Sequence, residues 1–290
     1  MPAERSWEIS EPQTLDFDAP VDTLEVRLVN GTVNVVGTAG PGTRVEVSDV
    51  HGPPLVVKEQ DGTLVVAYED VPWQGFLKWL DRKGWDRRAV VSVSVPAGVR
   101  LSVGVVGASA VVSGITGRTD LRGVSGDSTL VGLAGPVRAD TVSGNVETQG
   151  LTGSLRFNSV SGDLTVIDGG GPAVKADSVS GDMILDLGPG LDAGGSGGEP
   201  DISLNTVSGE VAIRLPRPVH ATVEANSASG AVSSAFEELK AAGQWGAKKL
   251  SGTLGSGGGR VRASSVSGAI ALLRRPPPLD DEARFVGKEA

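Results

Sequence analysis

The triplet Val-Ser-Gly returns along this chain at a nearly constant interval. It stands at Val124-Ser125-Gly126, Val142-Ser143-Gly144, Val160-Ser161-Gly162, Val179-Ser180-Gly181, Val207-Ser208-Gly209 and Val266-Ser267-Gly268, with Ala228-Ser229-Gly230 as a variant. From serine to serine the steps are 18, 18, 19, 28, 21 and 38 residues, and Val106-Gly107-Ala108 reads as a degenerate copy a further 18 residues back from Ser125. A short fixed period marks a repeat architecture, in which no unit buries its apolar face alone and neighbours must stack.

The flanks of the triplet repeat as well. Three residues before the serines stand Asp140, Asn158, Asp177, Asn205 and Asn226. Six before stand Val137, Leu155, Val174, Ile202, Val223 and Val261, and three after stand Val146, Leu164, Met183, Val211, Val232 and Ile270. A second glycine-rich turn lies between copies, at Gly132–Gly135, Gly150–Gly153 and Gly169–Gly171. Each period therefore holds two short alternating strands and two turns.

Strands of four or five residues rise only about 3.3 Å per residue and cannot carry a wall alone. Stacked about 4.8 Å apart they form parallel sheets with shared inward ladders of Val, Leu and Ile. Parallel neighbours need a long crossover, and here each period is its own crossover, which makes a β-solenoid. Glycine is expected to supply positive φ at the corners, and Asp or Asn to bond nearby amides. Ser125, Ser143, Ser161, Ser180, Ser208, Ser229 and Ser267, with Asp140, Asn158, Asp177, Asn205 and Asn226, are thus expected to form a structural turn ladder. Asp127, Asp163, Asp182 and Glu210 recur too, but the calcium-binding pattern Gly-Gly-x-Gly-x-Asp is absent.

Composition narrows the chemistry. Five Trp, five Phe and one Tyr in 290 residues leave an aliphatic core, and 42 glycines suit a chain built of turns. Without Cys there is no disulfide framework, zinc ribbon or Cys nucleophile. His51 and His220 lack ligand spacing, so neither a metal nor a cofactor is expected. A net charge of −9 argues against nucleic acid as a partner. The first ten residues show no secretory pattern and no apolar run reaches membrane-spanning length, so a cytoplasmic chain, peripheral at a membrane at most, is expected.

Residues 1–98 read as a β-rich cap or solenoid start, with strands at Thr23 to Val29, Thr32 to Val36, Arg44 to Val50, Leu55 to Gln60, Thr63 to Tyr68 and Val90 to Val95, and hairpin signals at Asn30-Gly31 and Asp61-Gly62. An insertion at 71–88 is different in kind. Trp73, Phe76, Leu77 and Leu80 fall at helical spacing, with Trp79, Trp85, Lys78, Arg82 and Lys83 among them. Such a basic amphipathic segment suits a partner groove or an anionic membrane surface, or else caps the stack. Residues 99–275 hold the repeats, with insertions at 188–200 and 234–250, the latter carrying a short helix signal from Ser234 to Ala242. Residues 276–290 open on three prolines and read as a flexible tail.

The Val-Ser-Gly period, the preceding Asp/Asn-Ser/Thr pair and the closing Val261–Ile270 stretch resemble the bacterial "putative adhesin" family of β-strand-repeat proteins, a domain of unknown function. The resemblance covers roughly residues 20–275, and the composition is similar to that of actinobacterial members. It implies a single-stranded parallel β-helix, right-handed, with no catalytic residues. The function expected is a non-enzymatic scaffold or protein-interaction module. Its contact would be Trp73, Phe76, Leu77, Lys78, Trp79, Arg82, Lys83 and Trp85, with the identity of the protein partner and the oligomeric state left open. Two alternatives remain: end-to-end self-assembly, and a carbohydrate-binding or carbohydrate-degrading β-helix enzyme, which would need facing carboxylates and aromatics where residues 101–235 offer only Phe157.

Overall fold

A computed structural model describes residues 5–69, 86–188, 199–244 and 247–276. Residues 71–85 of the Trp-rich segment, with all eight of its expected contact residues, lie outside the described residues, as do 277–290 and most of the 188–200 insertion. The described chain is all-β: 14 strands form one sheet and 12 the other, and both are mostly parallel. No helix among the described residues is long and apolar enough to cross a membrane.

The 18-residue period becomes the register of both sheets. In the first, Val137 pairs with Thr119 before it and Leu155 after it, and Leu155 pairs with Val174. In the second, Ser128, Val146, Leu164 and Met183 are successive partners. Each strand alternates inward and outward residues, so stacking at a fixed period lines up whole columns of one kind. One inward column reads Leu121, Ala139, Phe157, Ala176, Leu204. Phe157 is fully buried and sits between two alanines, which leave it the volume its ring needs.

The order of layers is not the order of the chain. Strand Thr23–Leu28 lies between Thr63–Ala67 and Arg100–Val105. At the other end, Gly259–Ser265 lies between Asp201–Thr206 and Ala221–Ser227. Twice, then, the chain places one layer outward and one inside it. Antiparallel strands close the first sheet at both ends: Arg5–Ile9 on Leu55–Gln60, and the hairpin Lys240–Gln244 with Ala247–Leu254 on Ala221–Ser227. Gln13–Phe17 runs antiparallel to Thr43–His51 at one end of the second sheet.

Three local expectations are corrected. Asn30-Gly31 is not a hairpin: Thr23–Leu28 and Asn30–Thr38 belong to different sheets, the chain turns at Val29, and the dipeptide opens the second strand, paired with Arg88 and Ala89. The helix signal at 234–242 gives a turn and then strand Lys240–Gln244. So short a helix has little stability of its own, whereas this path buries Phe236 and Leu239 and pairs the strand with Ala247–Leu254. Finally, the glycines of the Val-Ser-Gly corners do not have positive φ. A Cβ on Gly144, Gly162, Gly181 or Gly209 would overlap the carbonyl oxygen of the corresponding glycine in the layer below, so glycine is required for closeness of backbone. Positive φ belongs instead to the second turn, where Gly114, Gly132 and Gly150 have values of 68°, 62° and 63°. Asp168 continues that column at 52°, a conformation Asp tolerates better than most residues.

Candidate functional site: the stacked corner and the sheet beside it

The corner is made of three polar columns. The serines of the triplets stack, and each hydroxyl donates to a valine carbonyl of the adjoining layer rather than to another serine. Ser125 bonds Val106 O, Ser143 bonds Val124 O and Ser161 bonds Val142 O at 3.1, 3.1 and 3.4 Å. Ser180, Ser208, Ser267 and Ser229 donate to Val160, Val179, Val207 and Val266 at 3.3, 3.4, 3.3 and 3.2 Å. The same seven carbonyls accept the serine amides. The serine column is therefore occupied in holding layers together.

A second column lies two residues earlier: it is the Ser/Thr of the pair that precedes each triplet, which the expected turn ladder left out. Thr141, Ser178, Thr206, Ser227 and Ser265 are buried. Their hydroxyls accept the amide of the glycine three residues on, as do those of the less buried Ser159: Gly144 and Gly162 donate at 3.0 and 2.7 Å, Gly181 at 2.9 Å. Gly209, Gly230 and Gly268 do the same at 3.1, 2.9 and 2.8 Å. These hydroxyls satisfy amides that the corner withdraws from water.

The recurring acids form a third column. Asp127 accepts the amide of Asn145, Asn145 that of Asp163, Asp163 that of Asp182, and Asp182 that of Glu210, at 3.0, 3.0, 2.8 and 2.7 Å. Asp127, Asp163 and Asp182 each bond the next layer's backbone, and among the described residues no three His, Asp or Glu are grouped to hold a metal ion.

On the neighbouring sheet face the residues three before the serines pair as amide and carboxylate. Asn158 Nδ2 donates to Asp140 Oδ1 at 2.6 Å, and Asn205 Nδ2 to Asp177 Oδ1 at 2.8 Å. Asn226 lies beside Glu224, whose carboxyl is held below its usual range mainly by Lys249. One strand position away, Arg118 grips Asp120 at 2.8 and 2.9 Å, and Arg138 grips Asp140 at 2.8 Å. The Arg118 hydrogen bond pulls the Asp120 carboxyl below the ordinary aspartate value.

Beside these exposed polar groups, an apolar column also stands outward at the corner. Val160, Val179, Val207 and Val266 are 51, 49, 47 and 53% exposed in four successive layers. In the earlier layers Val106 and Val124 of the same column are buried. The exposed valines form a straight ridge on a backbone that adjoining layers hold on both sides.

No family profile matches the chain. No curated protein matches it either. Among solved structures it is similar to a putative cell adhesion protein from Clostridium sporogenes, at 10% identity and a TM-score of 0.28, covering 91% of this chain and 100% of that one. It is also similar to a putative adhesin from Bacteroides fragilis, at 12% identity and a TM-score of 0.43, covering 91% of this chain and 98% of that one.

Proposed function

We propose that the chain is a non-enzymatic β-solenoid, a single-stranded right-handed parallel β-helix that acts as a protein-interaction scaffold. The handedness follows the general preference of parallel crossovers. The observation that carries the reading is the valine ridge beside the hydrogen-bonded columns. The corner's polar groups are spent between layers, while Val160, Val179, Val207 and Val266 stay outward. A rigid apolar ridge gives a partner desolvation at little ordering cost. The Trp-rich segment at 71–88 is carried as a second contact in this reading.

The test is capture from host extract by immobilised chain, followed by reconstitution with each purified protein retained. A partner that binds the wild type and loses at least ten-fold in affinity to Val179→Ser/Val207→Ser, with unfolding unchanged, supports the ridge. Ile184→Ser, an exposed residue on the other sheet, is the control. Trp73→Ala/Trp79→Ala tests the second contact in the same assay and against anionic liposomes. Binding that neither pair of substitutions weakens would remove the reading.

A further inference from the structure

The outward face of the 14-stranded sheet carries a row whose charge runs against that of the protein. Across successive layers it reads Asp120, Arg138, Arg156, Lys175, Ser203, Arg262, Glu224. Between the two terminal carboxylates stand four cations and one serine, in a chain whose net charge is −9.

Neutralisation follows a rule that then fails. In two layers an arginine is followed two residues on by an aspartate, and Arg118–Asp120 and Arg138–Asp140 each close at 2.8 Å, although in the sheet register Asp120 stands beside Arg138 and Arg122 beside Asp140. In the next layer the same position after Arg156 holds Asn158, which cannot neutralise it and instead donates to Asp140. In the layer after that, Asp177 accepts from Asn205. Among the described residues neither Arg156 nor Lys175 has an ion pair. Both are exposed, and they are direct cross-strand neighbours. Like charges placed directly opposite are unfavourable, and this sheet keeps such a pair, with the Asp177 carboxylate two residues from Lys175 accepting from Asn205.

We propose that this row binds an extended acidic polysaccharide, a chain of uronate or sulfated sugars lying along the stack. From Arg138 to Arg262 the row spans four layer steps, about 19 Å at about 4.8 Å per layer. The adjoining Arg156 and Lys175 match a ligand with anionic groups on successive linked rings, while Ser203 interrupts the cations and Arg138 and Arg262 also face Asp140 and Glu224 at 2.8 and 4.0 Å. The column bordering the row alternates Asp140, Asn158, Asp177 and Asn205; the asparagine amides donate to the two carboxylates and keep further hydrogen-bonding positions for sugar hydroxyls. Single-stranded nucleic acid fits less well, since such binders add aromatic stacking platforms and the rows here present Arg, Lys, Asp, Asn and Ser. This inference goes beyond the valine ridge, which faces another column of the corner and serves a protein.

Equilibrium binding of the full chain to polygalacturonate, with neutral dextran and oligo(dT) as comparison ligands, tests it. The wild type is expected to bind polygalacturonate with an affinity that falls as salt rises, and to bind dextran undetectably. Arg156→Ser/Lys175→Ser should weaken that binding at least ten-fold with unfolding temperature unchanged or raised. Arg44→Ser, which removes one exposed cation from the other sheet, should change it less than two-fold. Val179→Ser/Val207→Ser should leave it intact, which separates this proposal from the protein-scaffold reading. Equal loss with Arg44→Ser, no loss with the double substitution, or tighter binding to oligo(dT) would each overturn it.

Discussion

Ser229 rests on Val266 and not on Val207: its amide and hydroxyl reach the Val266 carbonyl at 2.9 and 3.2 Å, while Val207 receives Ser267 from sixty residues further along. The last stretch of repeat sequence thus fills the place between two layers that precede it in the chain. That arrangement makes the C-terminal layer an internal part of the core.

Truncation after Gly258 should therefore be far more damaging than loss of a terminal layer. It would strip Asp201–Thr206 and Ala221–Ser227 of their common partner and uncover Ile202, Leu204, Val223 and Ala225. The expected outcome is an insoluble protein, or one with a broad, non-cooperative unfolding transition by circular dichroism. A sharp transition with near-native temperature would show that the two outer layers can re-pair directly.

Glycine at the corner is a matter of space. Gly162→Ala would push a Cβ into the Gly144 carbonyl and should cost at least about 2 kcal/mol in denaturant unfolding, the scale of overpacking a rigid interior. Gly40→Ala has open space and no positive φ, so it should be neutral or stabilising by about 0.4–1 kcal/mol. Similar costs at both sites would refute the close-backbone explanation.

The inconspicuous hydroxyl should matter more than the conspicuous one. Ser178→Ala leaves the amide of Gly181 without its 2.9 Å acceptor in a buried corner, at about 1–3 kcal/mol. Ser161→Ala removes an exposed hydroxyl at 3.4 Å from a carbonyl that keeps its backbone donor, and should stay within about 0.5 kcal/mol. Chemical denaturation of the two variants decides the order.

Tyr68, the chain's single tyrosine, provides a clean alkaline probe. Burial pushes its hydroxyl up to about 12, against the partial opposing pull of Arg87, whose guanidinium lies 5.1 Å from the ring centroid. The native state therefore keeps the phenolic proton where the unfolded chain has lost it. Its contribution to stability is complete below pH 10.0 and declines as pH rises through about 12. Tyrosinate absorbance should titrate near the upper value in the folded protein and near the lower one in urea. A midpoint near 10.0 under native conditions would show that the ring is solvated.

The acid limb has the opposite sign. Asp120, held low mainly by the Arg118 hydrogen bond, favours the native state above its unfolded pKa, and that contribution fades as pH falls through the depressed native value. Asp120→Asn should therefore lower stability modestly at neutral pH, the carboxylate being near the surface and screened, and flatten the loss below pH 4 by the same amount in denaturant unfolding followed against pH.

The sequence alone determined the repeat length, the two strands per period and the aliphatic ladder, because stacking at a fixed step makes every layer repeat the same inside–outside choice. Residues such as Val137, Leu155 and Val174 declare their column by position. The Asp61-Gly62 hairpin was equally legible, with φ of 49° and 73° at its two residues. Tertiary structure alone decided the rest. Whether Gly162 needs freedom or mere absence of a side chain depends on how near the next layer comes. Whether Ser178 or Ser180 carries the corner depends on which hydroxyl is buried. The order of the end layers was invisible because identical registers fit any neighbour, and only burial of the final strand, between two earlier ones, picks the place of each.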